Sequence, residues 1–113
     1  MDTIRARELA LDLPETVEQS HFGKADFRVR NRIFVSLPEA DRAVVKLDRD
    51  QQEMMAAAEP SVFRPVTGGW GQKGWTSIML EACDEQTFRS AVRTAWRNVA
   101  PPALRKRLDA SQI

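Results

Sequence analysis

The chain has 113 residues, of which 42% are hydrophobic and 29% charged, and a formal net charge of +1. That length suits one domain around one core, expected over residues 1–113, and no run approaches the ~20 apolar residues of a membrane span. One cysteine, one histidine and no tyrosine weigh against disulfides, cysteine-based zinc sites and Ser-His-Asp, Cys-His or multi-histidine chemistry, because each needs a second group to pair with or orient the first.

Residues 1–8 are charged and lack the apolar core of a signal peptide, so a cytoplasmic protein is expected. Residues 2–11 permit a first helix, with Ile4 and Leu11 a heptad apart and Pro14 as its stop. Residues 15–23 have no sustained period and read as a connection. Period two then begins: Phe27 and Val29 alternate with Arg28 and Arg30, and Ile33, Val35 and Leu37 with Phe34 and Ser36. Asn31 suits the left-handed position of a tight turn between them. After a turn at residues 38–41, residues 43–47 give a third strand, apolar on both faces.

Asp48 with Gln51 three residues on forms a capping-box variant for a second helix, which ends before Pro60. Residues 63–66 are a weak strand candidate. Gly68-Gly69-Trp70-Gly71-Gln72-Lys73-Gly74-Trp75 then gathers four of five glycines and two of three tryptophans, a tight loop whose tryptophans are expected to lock onto the core. Residues 75–81 follow as a strand. Asp84 caps the strongest helix, with Phe88, Val92, Ala95, Trp96 and Val99 on one apolar stripe. Pro101 and Pro102 end it, and a short basic helix over residues 102–109 precedes a frayed tail. The layout is an α+β domain: a mainly antiparallel sheet, built from a meander plus one or two later strands, with helices packed on one face.

Several segments in this order resemble the MmcQ/YjbR family: the Leu-Pro-Glu of residues 13–15, Phe22-Gly23-Lys24-Ala25-Asp26-Phe27-Arg28-Val29, Ile33-Phe34-Val35, Val45-Lys46-Leu47, Gly69-Trp70-Gly71 with Trp75, and Ala95-Trp96-Arg97-Asn98-Val99. The resemblance spans nearly the whole chain and implies a small α+β fold with frataxin-like topology, whose hairpins act as a double wing in DNA binding. The turn at Arg30-Asn31 departs from the glycine-bearing turn common in that family. The first helix sets Asp2 and Glu8 against Arg5 and Arg7, so it lacks the acidic ridge that frataxin-like iron handling would want.

Gly69-x-Gly71-x-x-Gly74 matches a dinucleotide-binding string, but a strand follows where the mechanism needs a helix, and Trp75 stands where a P-loop has its lysine. Charge alternates along the chain: residues 1–23, 24–49, 50–88 and 89–113 carry nets of −3, +3, −4 and +5. In the first basic block Arg28, Arg30 and Arg32, with Lys24 nearby, are expected opposite Phe27, Val29 and Ile33. They form either a solvated strand face or a phosphate-binding wing, to which Lys73 adds charge and Trp70 stacking. Arg89, Arg93 and Arg97 make a helical stripe whose stems cover the sheet margin or meet an acidic partner. His21 reads as a loop residue and Cys83 as a buried filler.

The expectation is therefore a non-enzymatic binding module without cofactor, metal or membrane partner. Weak, sequence-tolerant nucleic-acid binding through Lys24, Arg28, Arg30, Arg32, Trp70 and Lys73 leads. The alternatives are a protein-interaction adaptor using the glycine-tryptophan loop and basic C-terminal helices, and a small-ligand or enzymatic role in a cleft between that loop and His21.

Overall fold

The computed structural model describes residues 1–110. In chain order it contains helix α1 (Thr3–Leu11), strands β1 (Val17–His21), β2 (Lys24–Val29), β3 (Arg32–Glu39) and β4 (Arg42–Lys46), and helix α2 (Arg49–Ala58). Strand β5 (Phe63–Pro65), the one-turn helix α3 (Gly69–Gln72) and strand β6 (Trp75–Met79) follow, then a 3-10 turn (Leu80–Ala82) and helices α4 (Glu85–Val99) and α5 (Pro102–Ala110). The frayed tail expected after α5 lies outside the described residues.

Aspartate side chains start three helices by accepting a backbone N–H of the first turn: Asp2 from Arg5 at 2.9 Å, Asp48 from Gln51 at 2.8 Å and Asp84 from Thr87 at 2.8 Å. Gln51 returns the bond to the Asp48 N–H at 2.9 Å, which completes the capping box.

All six strands join one antiparallel sheet in the order β1-β2-β3-β4-β6-β5. Pleating sends Phe27, Val29, Val45 and Ile78 to one face, where the helices bury them. The stripe of α4 fits onto β3 and β4 with Phe88, Ala95 and Trp96 fully buried, each large side chain contributing about 1.5–3 kcal/mol of apolar burial. The Trp96 indole N–H donates to Pro14 O at 3.1 Å and fastens the chain between α1 and β1 to α4.

Three expectations are corrected. Residues 17–21, read as a connection, form edge strand β1, paired with β2 through Val17–Arg28 to His21–Lys24. Period two breaks in β3: between Phe27–Val35 and Arg28–Ile33 the register slips by one residue, so Phe34 is the extra residue of a β-bulge. Phe34 and Val35 both enter the core, and Ile33 moves to the same face as Arg28 rather than opposite it. The glycine-rich segment, expected as a loop, contains α3.

Candidate nucleic-acid interface

Strand alternation leaves the face away from the long helices lined by Lys24, Asp26 and Arg28 of β2, Arg42, Val44 and Lys46 of β4, and Trp75 and Ser77 of β6. Ile33, Val44, Val66 and Trp75 floor a depression of about 350 Å³ on this face, with His21 and Lys24 on one side and Trp70 on another. Its volume is at the lower end of ligand clefts, roughly 300–1,000 Å³. The cleft expected between the glycine-tryptophan segment and His21 is this depression.

Trp70 reaches it because α3 is held from beneath. The side-chain amide of buried Gln52 on α2 donates to Gly71 O at 3.0 Å, Trp75 O at 3.2 Å and Thr76 Oγ1 at 3.1 Å. Arg49 donates to Gln72 O at 3.3 Å and the Lys46 ammonium to Lys73 O. Three successive carbonyls at the C-terminal end of α3, which a helix leaves without intrahelical partners, are thus satisfied by α2 and β4. Gly71 and Gly74 are required by close approach: a Cβ on either would lie 1.8 Å from a carbonyl oxygen, that of Val66 or of Leu47.

The result is one exposed tryptophan and one half-buried one, rather than two locked into the core. Trp70 is 63% exposed and meets Trp75 edge-on at 6.1 Å between ring centroids. Lys73 Nζ lies 5.7 Å from the Trp70 centroid and Lys46 Nζ 5.5 Å from that of Trp75, so two cations alternate with two indoles. Burial pushes the Lys46 ammonium below its usual pKa, and the charges of Lys73 and Arg32 push the same way.

The six residues singled out from the sequence divide. Lys24 and Trp70 line the depression, and Lys73 covers Trp70. Arg28 shares their face but grips the buried Asp26 carboxylate with two bonds, 2.9 and 3.2 Å, which fixes its direction and offsets part of its charge. Arg32 stands at the sheet end within electrostatic reach of Lys46. Arg30 leaves the group: it occupies the turn at φ 50° and pairs with Glu15, which also meets Arg107 of α5. That turn position carries its side chain toward the α1–β1 connection instead of along the β2 face.

Lys46, Arg42 and Arg64 belong to the interface and were not singled out. Arg42 donates to Ser77 Oγ at 2.9 Å and pairs with Glu39; Arg64 lies opposite Ser77 across β5–β6. The alternation Arg42-Ala43-Val44-Val45-Lys46 carried the signal, but Val44 disguised the outward row as apolar. Phe22 was also passed over. It is 91% exposed at the tip of the β1–β2 hairpin, with its ring 4.4 Å from that of His21.

The remaining candidates lie elsewhere. Cys83 is buried, as expected of a filler, and its thiol is pushed up to about 11, chiefly by burial and then by Asp84 and Glu59. On α4, Arg89 pairs with Glu85 and Arg97 with Asp109. No helix among the described residues is long and apolar enough to cross a membrane.

The crystal structure of Deinococcus radiodurans protein DR2400, which contains the DUF419 family-model domain, superimposes with a TM-score of 0.71 at 20% sequence identity, covering 91% of this chain and 84% of that one. Identity at that level supports the shared fold alone. No curated protein gives a match. The family model described as YjbR matches residues 11–98, from the end of α1 almost to the end of α4, and so includes every strand and the whole glycine-tryptophan segment; the chain belongs to the YjbR family.

Proposed function

We propose that this protein is a small, non-enzymatic nucleic-acid-binding module of the cytoplasm, working without cofactor or membrane. One observation carries the reading: on the sheet face that the long helices leave open, Lys73 lies over the exposed Trp70, Lys46 lies over its neighbour Trp75, and Lys24 lines the same depression as both indoles. Cations interspersed with exposed aromatic faces are what a nucleic-acid backbone and its bases require. The β1–β2 and β2–β3 hairpins supply one half of that face, with Lys24 following the first turn and Arg28 preceding the second.

A non-catalytic role is supported by the state of the one cysteine: the Cys83 thiol is buried and pushed up to about 11, which does not suit a nucleophile. The depression also favours a second reading, a small aromatic anion as ligand, which would show as thermal stabilisation by a free mononucleotide but not by inorganic phosphate.

The test is binding of labelled nucleic acid, duplex and single-stranded, at about 50 mM salt, where counterion release helps most. Lys24→Glu and Lys73→Glu should each weaken binding at least tenfold. Arg93→Glu, on exposed α4 across the sheet, should leave it unchanged. Absence of binding to both ligands at that salt, or equal losses from all three variants, would refute the proposal.

A further inference from the structure

The tip of the β1–β2 hairpin is built against its own conformational preference. Phe22 and Gly23 form a two-residue turn with φ of 52° and 76°, the left-handed pair for which Asn-Gly is the favoured sequence. A bulky aromatic residue at positive φ is a rare outlier, and strain of this kind gathers at functional positions. Burial does not account for it, since the Phe22 ring is 91% exposed. Its contact is with His21, which lines the open-face depression, and Lys24 lies two residues on in the same lining.

Trp70 thus lines the depression under Lys73, and Phe22 stands just outside it, against His21 of the lining. Its floor is mainly aliphatic and indole; Lys24 lines it beside His21, and Lys73 lies over Trp70. In a duplex the flat faces of the bases are covered by their neighbours, so a duplex lying here would touch the lysines and leave apolar floor and rings unused. An unpaired base presents those faces.

Resting on the nucleic-acid reading above, we infer that the ligand is single-stranded: an unpaired base lies in the depression against Trp75, while Trp70 and Phe22 stack on the bases to either side and Lys24 and Lys73 hold the intervening phosphates. Base–aromatic stacking contributes about 1–3 kcal/mol per base, roughly five- to 150-fold in affinity. Phe22 holds its strained position for that contact.

The experiment measures fluorescence anisotropy for strands of about 12 nucleotides, comparing oligodeoxyuridylate, oligouridylate, an abasic strand of equal charge and the matching duplex. Phe22→Asn makes the turn Asn-Gly and should raise the melting temperature by a few degrees, so weaker binding by that variant does not come from unfolding. The wild type should bind the better of the two base-bearing strands at least tenfold more tightly than the abasic strand and the duplex, with the preferred sugar identifying DNA or RNA. Phe22→Asn and Trp70→Ala should each lose roughly tenfold on that strand and little on the abasic one. If the abasic strand or the duplex binds as well as the base-bearing strands, the inference falls and phosphate binding stands; if no strand or duplex binds, both fall.

Discussion

Within the glycine-tryptophan segment the same substitution should have opposite signs five positions apart. Gly74 has φ +100°, and a Cβ there would meet Leu47 O at 1.8 Å and Leu47 C at 2.8 Å. Gly74→Ala therefore costs about 1–2 kcal/mol for a side chain in left-handed backbone. It also displaces the Gly74 carbonyl from its bonds with Leu47 N at 3.2 Å and Thr76 Oγ1 at 2.9 Å, each contributing about 0.5–1.5 kcal/mol. The sum is roughly 2–5 kcal/mol, or a melting temperature lowered by about 8–20 °C at about 4 °C per kcal/mol. Gly69 opens α3 with nothing within 4 Å of a Cβ, so Gly69→Ala should stabilise by about 0.4–1 kcal/mol through the unfolded chain. Urea unfolding followed by circular dichroism, with m-values compared, measures both. The account of this segment is refuted if Gly74→Ala stays within about 1 kcal/mol of the parent, or if Gly69→Ala costs as much as Gly74→Ala.

Gln52→Met keeps most of the side-chain volume but removes the donor to Gly71 O, Trp75 O and Thr76 Oγ1; a loss of about 1–3 kcal/mol and a broadened Trp70 indole N–H resonance are expected, and an unchanged unfolding midpoint would contradict that role. The carboxyls of Glu15, Asp84 and Glu85 are held below their usual range, first by Arg30, by the Thr87 N–H and by Arg5 respectively. Depressed carboxyl pKa values stabilise the fold above the unfolded values and cease to do so as pH falls through the folded ones. The melting temperature should thus hold near neutral pH and drop below about pH 4, less steeply in Arg5→Gln; equal steepness in both proteins would count against the Arg5–Glu85 pair. Cys83, its thiol pushed up to about 11, should react with a thiol reagent at pH 8 only after denaturant is added, and rapid full labelling of the native protein would disprove its burial.

The elements legible in the sequence are those whose signal is local. Asp48 with Gln51, Asp84 with its apolar stripe, and the two alternating runs joined at Asn31 each declare an element within 16 residues, and the two helices and the hairpin form, although the second run bulges at Phe34. β1 does not declare itself, because Val17, Gln19, Ser20 and His21 are all exposed; an edge strand held by its ladder to β2 buries too little to impose a hydrophobic period. α3 runs against propensity, with glycine at two of its four positions, and is held by Arg49, Lys46 and Gln52 from elements more than 15 residues away. The bulge at Phe34 is likewise a property of pairing, and it puts Ile33 into the depression. The candidate site was legible as residue types but not as a surface: Lys24, Trp70 and Lys73 come together, Arg30 leaves, and Phe22 enters.

Charge alone does not choose the binding face. The +3 block of residues 24–49 supplies the open side of the sheet, and the +5 block of residues 89–113 supplies α4 and α5, most of which lies across it. Both blocks mix paired and exposed cations: Arg28 and Arg42 are paired on one side, Arg89 and Arg97 on the other. What separates them is where the aromatic residues fall. Trp96 and Phe88 of α4 are fully buried in the core, whereas Trp70, Phe22 and part of Trp75 face solvent beside lysines on the open side. A polyanion without bases would meet comparable charge on either face, but a strand with unpaired bases finds stacking partners on the open face. Binding of the base-bearing strand should therefore respond to Lys24→Glu and not to Arg93→Glu; the reverse pattern would move the interface to α4.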